Sequence, residues 1–457
     1  MRAPGRVGTA RGALGLATVV VAIASLMAAC GGSSGKSGGS SSTTAPKTTG
    51  VGVGVTPTDI KVGVALVDFN CVKQFVDTIR VDQDKVYQAF IDDINAKGGI
   101  AGRKIVPVYD SYCPIGNAGA LSVCTKLTED DKVFAVMGNL FDSSGDAQTC
   151  VAKQHDRVLL TFNMTQPIID RSPPGLIIYP GATNERTVQV ILQLLQKQGT
   201  LKGKHVAAMG ATQEASTVNQ VIVPGLRRIG AIPATPAVLS ISGSDTTAAL
   251  AQLDSFIERW KGEHVDAVFL SGDEVSSSQF VTKLKGALPN VQLYVDNTDV
   301  KSPAQDAVKA HENPNPYEGI ISTGGPTPVE YDHSAHWAYC AAIYEKYTGK
   351  HAPSAEEVVP GPGGKTLDTN GSINDACQIL SLFHDIAARV GSNLNNANWV
   401  STVNTFGHVD NKGGGQYASL RAGKYDIEDT FRLEAWDSTI PPIGDWRAVT
   451  PLENIPG

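Results

Sequence analysis

From residue 59 onward the chain alternates short apolar runs with longer amphipathic ones. IKVGVALV (60–67) is an apolar run of strand length, the pattern of a strand buried on both faces. In VYQAFIDDIN (86–95), Val86, Phe90 and Ile94 recur every four residues, with Tyr87 and Ile91 beside them. That spacing lines one face of a helix, and Gly98 and Gly99 supply its stop. KIVPVYD (104–110) predicts the next strand. A helix over 116–129 leads to strand KVFAVMG (132–138), and a helix over 146–155 leads to VLLTF (158–162). Strand and helix in strict alternation predict a parallel sheet with right-handed crossovers.

The pattern then restarts. Val188, Ile191, Leu192 and Leu195 mark a helix, followed by strand HVAAMG (205–210), a helix over 215–228 and strand AVLSI (237–241). A helix from 245 to 262 carries Leu250, Leu253, Phe256, Ile257 and Trp260 on one side. VDAVFLSG (265–272), a helix over 275–286 and VQLYV (291–295) complete a second α/β unit. Two such units in tandem predict two lobes with a cleft between them. Further on, 333–347 and 373–390 predict helices, RLEAW (432–436) a strand, and the Pro/Gly-rich stretch 349–371 a long loop.

Composition narrows the class. The 457 residues are 42% hydrophobic and 18% charged, which excludes a wholly disordered chain. The net charge is −7 and no block of five basic residues occurs, which argues against a nucleic-acid partner.

The N-terminus has its own logic. Arg2, Arg6 and Arg11 precede an apolar run from Ala13 to Met27, and Ala28 and Ala29 precede Cys30. This is a secretory signal peptide in outline (residues 1–29), too short and wrongly flanked for a membrane span. LMAAC resembles the bacterial lipobox, in which the cysteine is acylated after cleavage, so Cys30 is the expected lipidation site. The alternative is an ordinary leader in which Cys30 has no role. Residues 30–56 begin with a Gly/Ser/Thr-rich stretch and read as a flexible tether.

Besides Cys30 there are six cysteines, at 71, 113, 124, 150, 340 and 377. An even number in an exported chain favours three disulfides over buried thiols. Four fall between 71 and 150 and two lie far downstream, so Cys340–Cys377 is the natural isolated pair. No C-x-x-C occurs, which leaves zinc ribbons without support. GGSSG (31–35) and GKSGG (35–39) match a nucleophile elbow but sit in the tether, without the strand and helix an elbow needs. GPGGKT (361–366) lacks the first glycine of a phosphate loop, and His333 and His336 have no third metal ligand in view. Neither a metal nor a cofactor is expected.

IDDINAKGGIAGRKIVPVYDSY (91–112) resembles the type I periplasmic binding proteins, in the branched-chain amino-acid-binding branch. VFAVMGNLFDSSG, LLTFNMT, KGKHVAAMG, PGLRRIGA, DAVFLSG and YEGIISTGG follow in the matching order, so the likeness spans roughly 57–440. The resemblance implies an α/β fold of two Rossmann-like lobes, parallel sheets flanked by helices, joined by a three-segment hinge. It implies residues 57–178 plus 322–424 as lobe I, 179–321 plus 425–445 as lobe II, and 446–457 as a C-terminal tail. The ligand would sit in the cleft, where loops beyond the carboxyl ends of parallel strands converge, and the lobes would close on it.

Carried over by position, the resemblance implies first-lobe ligand residues Asp68, Phe69, Asn139, Asp142, Ser143, Ser144, Asn163 and Thr165. In the second lobe it implies Gln213, Glu214, Asp273, Glu274 and Asp296. Glu214 stands where amino-acid binders carry a Tyr, and Asp142 where a Ser meets the ligand carboxylate. A carboxylate there would repel another, so a cationic, amine-bearing or polyhydroxylated ligand fits better. Asp142, Ser143 and Ser144 could equally cap the helix that follows. On a sheet ordered 2-1-3-4-5 the resemblance pairs Cys71 with Cys113 and Cys124 with Cys150, and keeps Cys113–Cys150 open as an alternative.

The expected role is a solute-binding lipoprotein that hands a small polar ligand, an amino acid, amide or amine, to the permease subunits of an ABC importer. It would act as a monomer on the outer face of a bacterial plasma membrane, without catalysis. A sensor of the same fold is the alternative, and a secreted α/β hydrolase a more distant one.

Overall fold

A computed structural model describes residues 48–457 except 75, 77, 143, 242–245, 297–299 and 413–416. The leader and Cys30 lie outside the described residues. Among the described residues no helix is long and apolar enough to cross a membrane.

The first sheet has five parallel strands: β1 (Asp59–Val67), β2 (Lys104–Tyr112), β3 (Ala135–Gly138), β4 (Val158–Thr161) and β5 (Ile177–Ile178). Their order is β2-β1-β3-β4-β5. The direction of winding reverses between β1 and β3, which opens a crevice at their carboxyl ends. Helices α1 (Gln83–Ala96), α2 (Asn184–Gln198), α3 (Ala335–Thr348) and α4 (Thr369–Val390) are the long ones used below. The core of this sheet takes residues from Val55 to Ile178 and again from Tyr331 to Ile427.

The second sheet holds nine strands: β6 (His205–Ala211), β7 (Ile232–Pro233), β8 (Ala237–Leu239), β9 (Ala267–Ser271), β10 (Gln292–Val295), β11 (Ile321–Gly324), β12 (Thr430–Asp437), β13 (Asp445–Ala448) and β14 (Glu453–Asn454). The path is β13-β12-β11-β10-β9-β6-β7, with β8 on β6 and β14 on β12. Both faces are buried. Ala207, Met209 and Ala211 of β6 enter one core, while Val206 and Ala208 enter the other. That two-residue alternation explains why the strand reads as a continuous apolar run.

The chain leaves the first core after Ile178, returns by Tyr331 and leaves again after Ile427. Segments 179–183 and 425–429 run together: Tyr179 N donates to Tyr425 O (2.9 Å), and Ile427 N to Tyr179 O (3.0 Å). A buried charged cluster ties them. Arg186 pairs with Asp426 (3.0 Å) and with Asp429, and Lys424 lies 3.3 Å from Asp429.

Three expectations change. Residues 48–56 are not tether: Asn398 Nδ2 donates to Thr48 O (2.9 Å), Gly52 N donates to Leu394 O (2.8 Å), and Val55 is buried in the first core. The last residues are not a separate tail, since β13 and β14 pair with β12 inside the second sheet. The stretch 349–371 is not wholly a loop either. Val359–Pro360 and Thr366–Leu367 form a hairpin that takes up Thr78–Ile79 as its third strand. Pro and Gly mark the turns but hide strands of two residues, whose partner lies almost 300 residues away. The disulfides present are Cys71–Cys113, Cys124–Cys150 and Cys340–Cys377. Cys71 and Cys113 follow β1 and β2, which pair along their whole length, while Cys340 and Cys377 join α3 to α4.

Candidate functional site

The carboxyl ends of β6, β9 and β10 carry the second-lobe candidates. Glu214 ends a short helical turn after β6. Asp273 and Glu274 open the helix after β9, and Asp296 follows β10. Gln213 Nε2 donates to Glu274 Oε1 (2.5 Å), which joins two of these loops. Asp296 is buried and accepts from Ser271 Oγ (2.7 Å) and from Gly272 N (3.1 Å). It therefore buttresses the 271–272 turn and does not present its carboxylate to a ligand. Burial lifts its pKa to about 7 against these hydrogen bonds.

Glu214 is the odd group. Its Oε2 is buried without a hydrogen-bond partner. Burial, then the charge of Glu274, pushes its pKa up to about 8. At neutral pH much of it is protonated, so it can donate one hydrogen bond and accept others.

In the first lobe the loops part company. Asp142 is only 3% exposed, and its oxygens serve its own loop. Oδ1 accepts from Ser144 N (2.8 Å), and Oδ2 from Ala147 N (2.7 Å). The capping role holds for Asp142, which turns inward to accept from backbone N–H groups at the start of the next helical turn. Ser144 is spent on Asp142 and, through its carbonyl, on Arg171 (2.6 Å). Ser143 lies outside the described residues. Asn163 is exposed, with a left-handed φ of 56°. Thr165 precedes a short helix whose Gln166 N donates to Glu185 on α2 (2.8 Å).

Asn139 sits at the crevice between β1 and β3. Its backbone oxygen accepts from Tyr112 Oη (2.7 Å), and its side-chain Nδ2 lies 3.4 Å from Asp375 Oδ2 on α4. Asp375 in turn pairs with Arg80, which also binds Asp368 (2.8 Å). With its nitrogen turned to Asp375, Asn139 offers its side-chain oxygen elsewhere, as an acceptor. Asp68 caps the turn Phe69–Cys71 through Asn70 N (2.9 Å). Asp68 and Phe69 line a cavity of about 880 Å³ together with Arg80, Gln83, Tyr109 and Lys365.

Sequence reasoning missed Arg80, Asp375 and Glu428. Arg80 and Asp375 are 295 residues apart, and no local pattern announces their pairing. Glu428, on the segment that leaves the first core, sits so close to Gly325 that a Cβ there would lie 2.7 Å from its Oε1. Burial lifts Glu428 to a pKa of about 7, with Arg186 opposing and Asp426 and Asp429 adding to the rise. The signal available was the glycine of STGG (322–325), which entered only as part of a family motif.

Comparison with known proteins fits this geometry. A family described as periplasmic binding protein matches residues 79–358. Curated protein sequences give no match. Among solved structures, an ABC-transporter solute-binding protein from Rhodopseudomonas palustris BisB5, in complex with 3,4-dihydroxybenzoic acid, is similar at 14% identity and a TM-score of 0.58. That likeness covers 87% of this chain and 97% of that one. A substrate-binding protein from Desulfitobacterium hafniense in complex with Leu is similar at 15% identity, TM-score 0.59, over 85% and 100%. A fatty-acid ABC-transporter substrate-binding protein from Thermomonospora curvata reaches 14% identity and 0.57, over 88% and 94%.

Proposed function

Because this chain belongs to the periplasmic binding protein family, and is a binding protein and not an enzyme, we propose that it is the extracytoplasmic solute-binding lipoprotein of an ABC importer. It captures a small polar ligand of amino-acid, amide or amine type between two lobes, which close about segments 179–183, 324–328 and 425–430. Cys30 carries the lipid, and permease subunits receive the ligand.

The observation that supports this reading is the set of acceptors at the carboxyl ends of the strands, where a ligand cleft is expected. Glu214 and Glu274 supply carboxyl oxygens from the second lobe, and Asn139 an amide oxygen from the first. Arg80, which lines a small cavity with Asn139, is already held by two carboxylates. A ligand rich in N–H donors complements such a surface, and an unescorted carboxylate does not. The related structures hold an aromatic acid and Leu; the acidic groups of the second lobe support a different preference for this chain.

The test is a thermal-shift screen of the purified protein against amino acids, amides, polyamines, sugars and aromatic acids. A ligand at 100 times its Kd should add about 2.7 kcal/mol. A shift confined to amino acids, amides or amines is expected. A shift confined to aromatic acids would overturn the ligand class, and none at all the binding role.

A further inference from the structure

A second cavity, of about 580 Å³, lies on the first lobe beside the 880 Å³ cavity. Val81 and Asp82 line both. Its walls come from α1, from the end of α3 and from the hairpin at 359–367, and none of the cleft candidates lines it. The volume falls in the ordinary range of small-molecule pockets.

The lining chemistry is selective. Val81, Val86, Ala89, Val359 and Leu367 give it an apolar body, with Tyr344 and Tyr347 alongside. Its cations are occupied by carboxylates. Asp82 holds both Lys85 (2.8 Å) and Lys350 (3.1 Å), and His351 is clasped between Glu345 and Glu357 (3.2 Å each). Asp92 accepts from the Gln88 amide (2.8 Å), whose own oxygen accepts from Tyr109 (3.0 Å). An anionic ligand would have to displace a carboxylate from Lys85, Lys350 or His351.

Two of the hydroxyls have a direction. Thr348 Oγ1 donates to Tyr344 O (2.6 Å), and Ser372 Oγ to Asp368 O (2.8 Å). With their protons spent, these two oxygens can only accept; Thr348 Oγ1 takes one bond from Lys350 N (3.2 Å) and keeps a second lone pair, and Ser372 Oγ keeps both. Whatever meets them brings a donor.

We propose that this cavity is a second binding site, for a small uncharged molecule with an apolar or aromatic body and one hydrogen-bond-donating group, such as a phenol, an alcohol or a primary amide. The site is independent of the interlobe cleft and does not rest on the identity of the transported ligand.

The experiment titrates 2-naphthol into the full-length protein in detergent by calorimetry, with 2-methoxynaphthalene (no donor) and 2-naphthoate (charged) as comparisons. Expected is one saturable site for 2-naphthol, with both comparisons at least tenfold weaker. Val359→Trp and Leu367→Trp fill the cavity and should each weaken 2-naphthol at least tenfold, while Ser111→Trp, in the other cavity, should leave it unchanged. Hydrogen exchange of the unaltered protein needs no variant: 2-naphthol should slow exchange at 344–353. Protection at 68–74 instead, wild-type affinity in both cavity-filling variants, loss in Ser111→Trp, equal binding of either comparison or no saturable binding would each overturn the proposal.

Discussion

Glu214 lays its carboxyl against the bare Cα of Gly272. A Cβ there would stand 2.8 Å from Glu214 Cδ and 3.1 Å from its Oε1. Glu214 comes from the end of β6 and Gly272 from the end of β9, neighbouring strands. The glycine lets the carboxyl sink, and sinking raises its pKa to about 8. Asp296 holds the same glycine from behind through its N–H (3.1 Å). Two acids thus meet on one turn, Asp296 as a buttress through the glycine N–H and Glu214 packed against its Cα.

A pH dependence of stability follows. The folded chain keeps the Glu214 proton up to about pH 8, whereas the unfolded chain loses it near its ordinary 4.5. Between those values the folded state binds more protons, so ligand-free stability falls as pH rises. The melting temperature should drop from pH 5 to pH 8, and Glu214→Gln should flatten that drop without abolishing it. Asp296 and Glu428, both raised to about 7, act with the same sign. An unaltered slope in Glu214→Gln would remove Glu214 as a source.

Gly272→Ala tests the close approach itself. Gly272 has a φ of 91°, in the region an L side chain rarely enters. Strain there costs about 1–3 kcal/mol, and the new methyl displaces Glu214. Urea unfolding should show a loss of that order, and the affinity for any hit of the ligand screen should fall with it.

Arg186→Met probes the crossing segments. It leaves Asp426 and Asp429 buried beside Lys424 alone. Removing one partner of a buried ion pair costs about 3–5 kcal/mol. Urea midpoints should reveal it, and a change under about 1 kcal/mol would mean that the cluster is solvated in solution.

Asp142→Ala separates capping from binding. The variant forfeits the hydrogen bonds to Ser144 N and Ala147 N, at a cost of about 0.5–2 kcal/mol. Its ligand profile should match the wild type. A shift in ligand preference would put Asp142 back at the ligand.

The Cys340–Cys377 bond joins α3 to α4 across 37 residues of sequence. Replacing both cysteines with Ser should lower stability by about 2–4 kcal/mol in denaturant titration. Ligand affinity should be unaffected, since neither residue lines a cavity described above.

What the sequence determined by itself is the part of the fold that rests on local periodicity. Strands such as 60–67 and helices such as 86–95 could be read because hydrophobic burial repeats every two or 3.6 residues along the chain itself. The tandem α/β order and the quoted family motifs are likewise written in consecutive residues. So were the loops at the strand ends, and with them Glu214, Asp273, Glu274 and Asn139.

The tertiary structure decided everything that depends on which way a side chain turns and on what meets it from far along the chain. Asp142 turns inward to cap its own helix, and Asp296 turns inward to hold Gly272. Arg80 finds Asp368 and Asp375 across 288 and 295 residues, and Thr366–Leu367 finds Thr78–Ile79 across as many. A buried charge must be paired wherever packing brings it, and packing is a property of the whole core. No window of sequence contains that information, because the partners share no window.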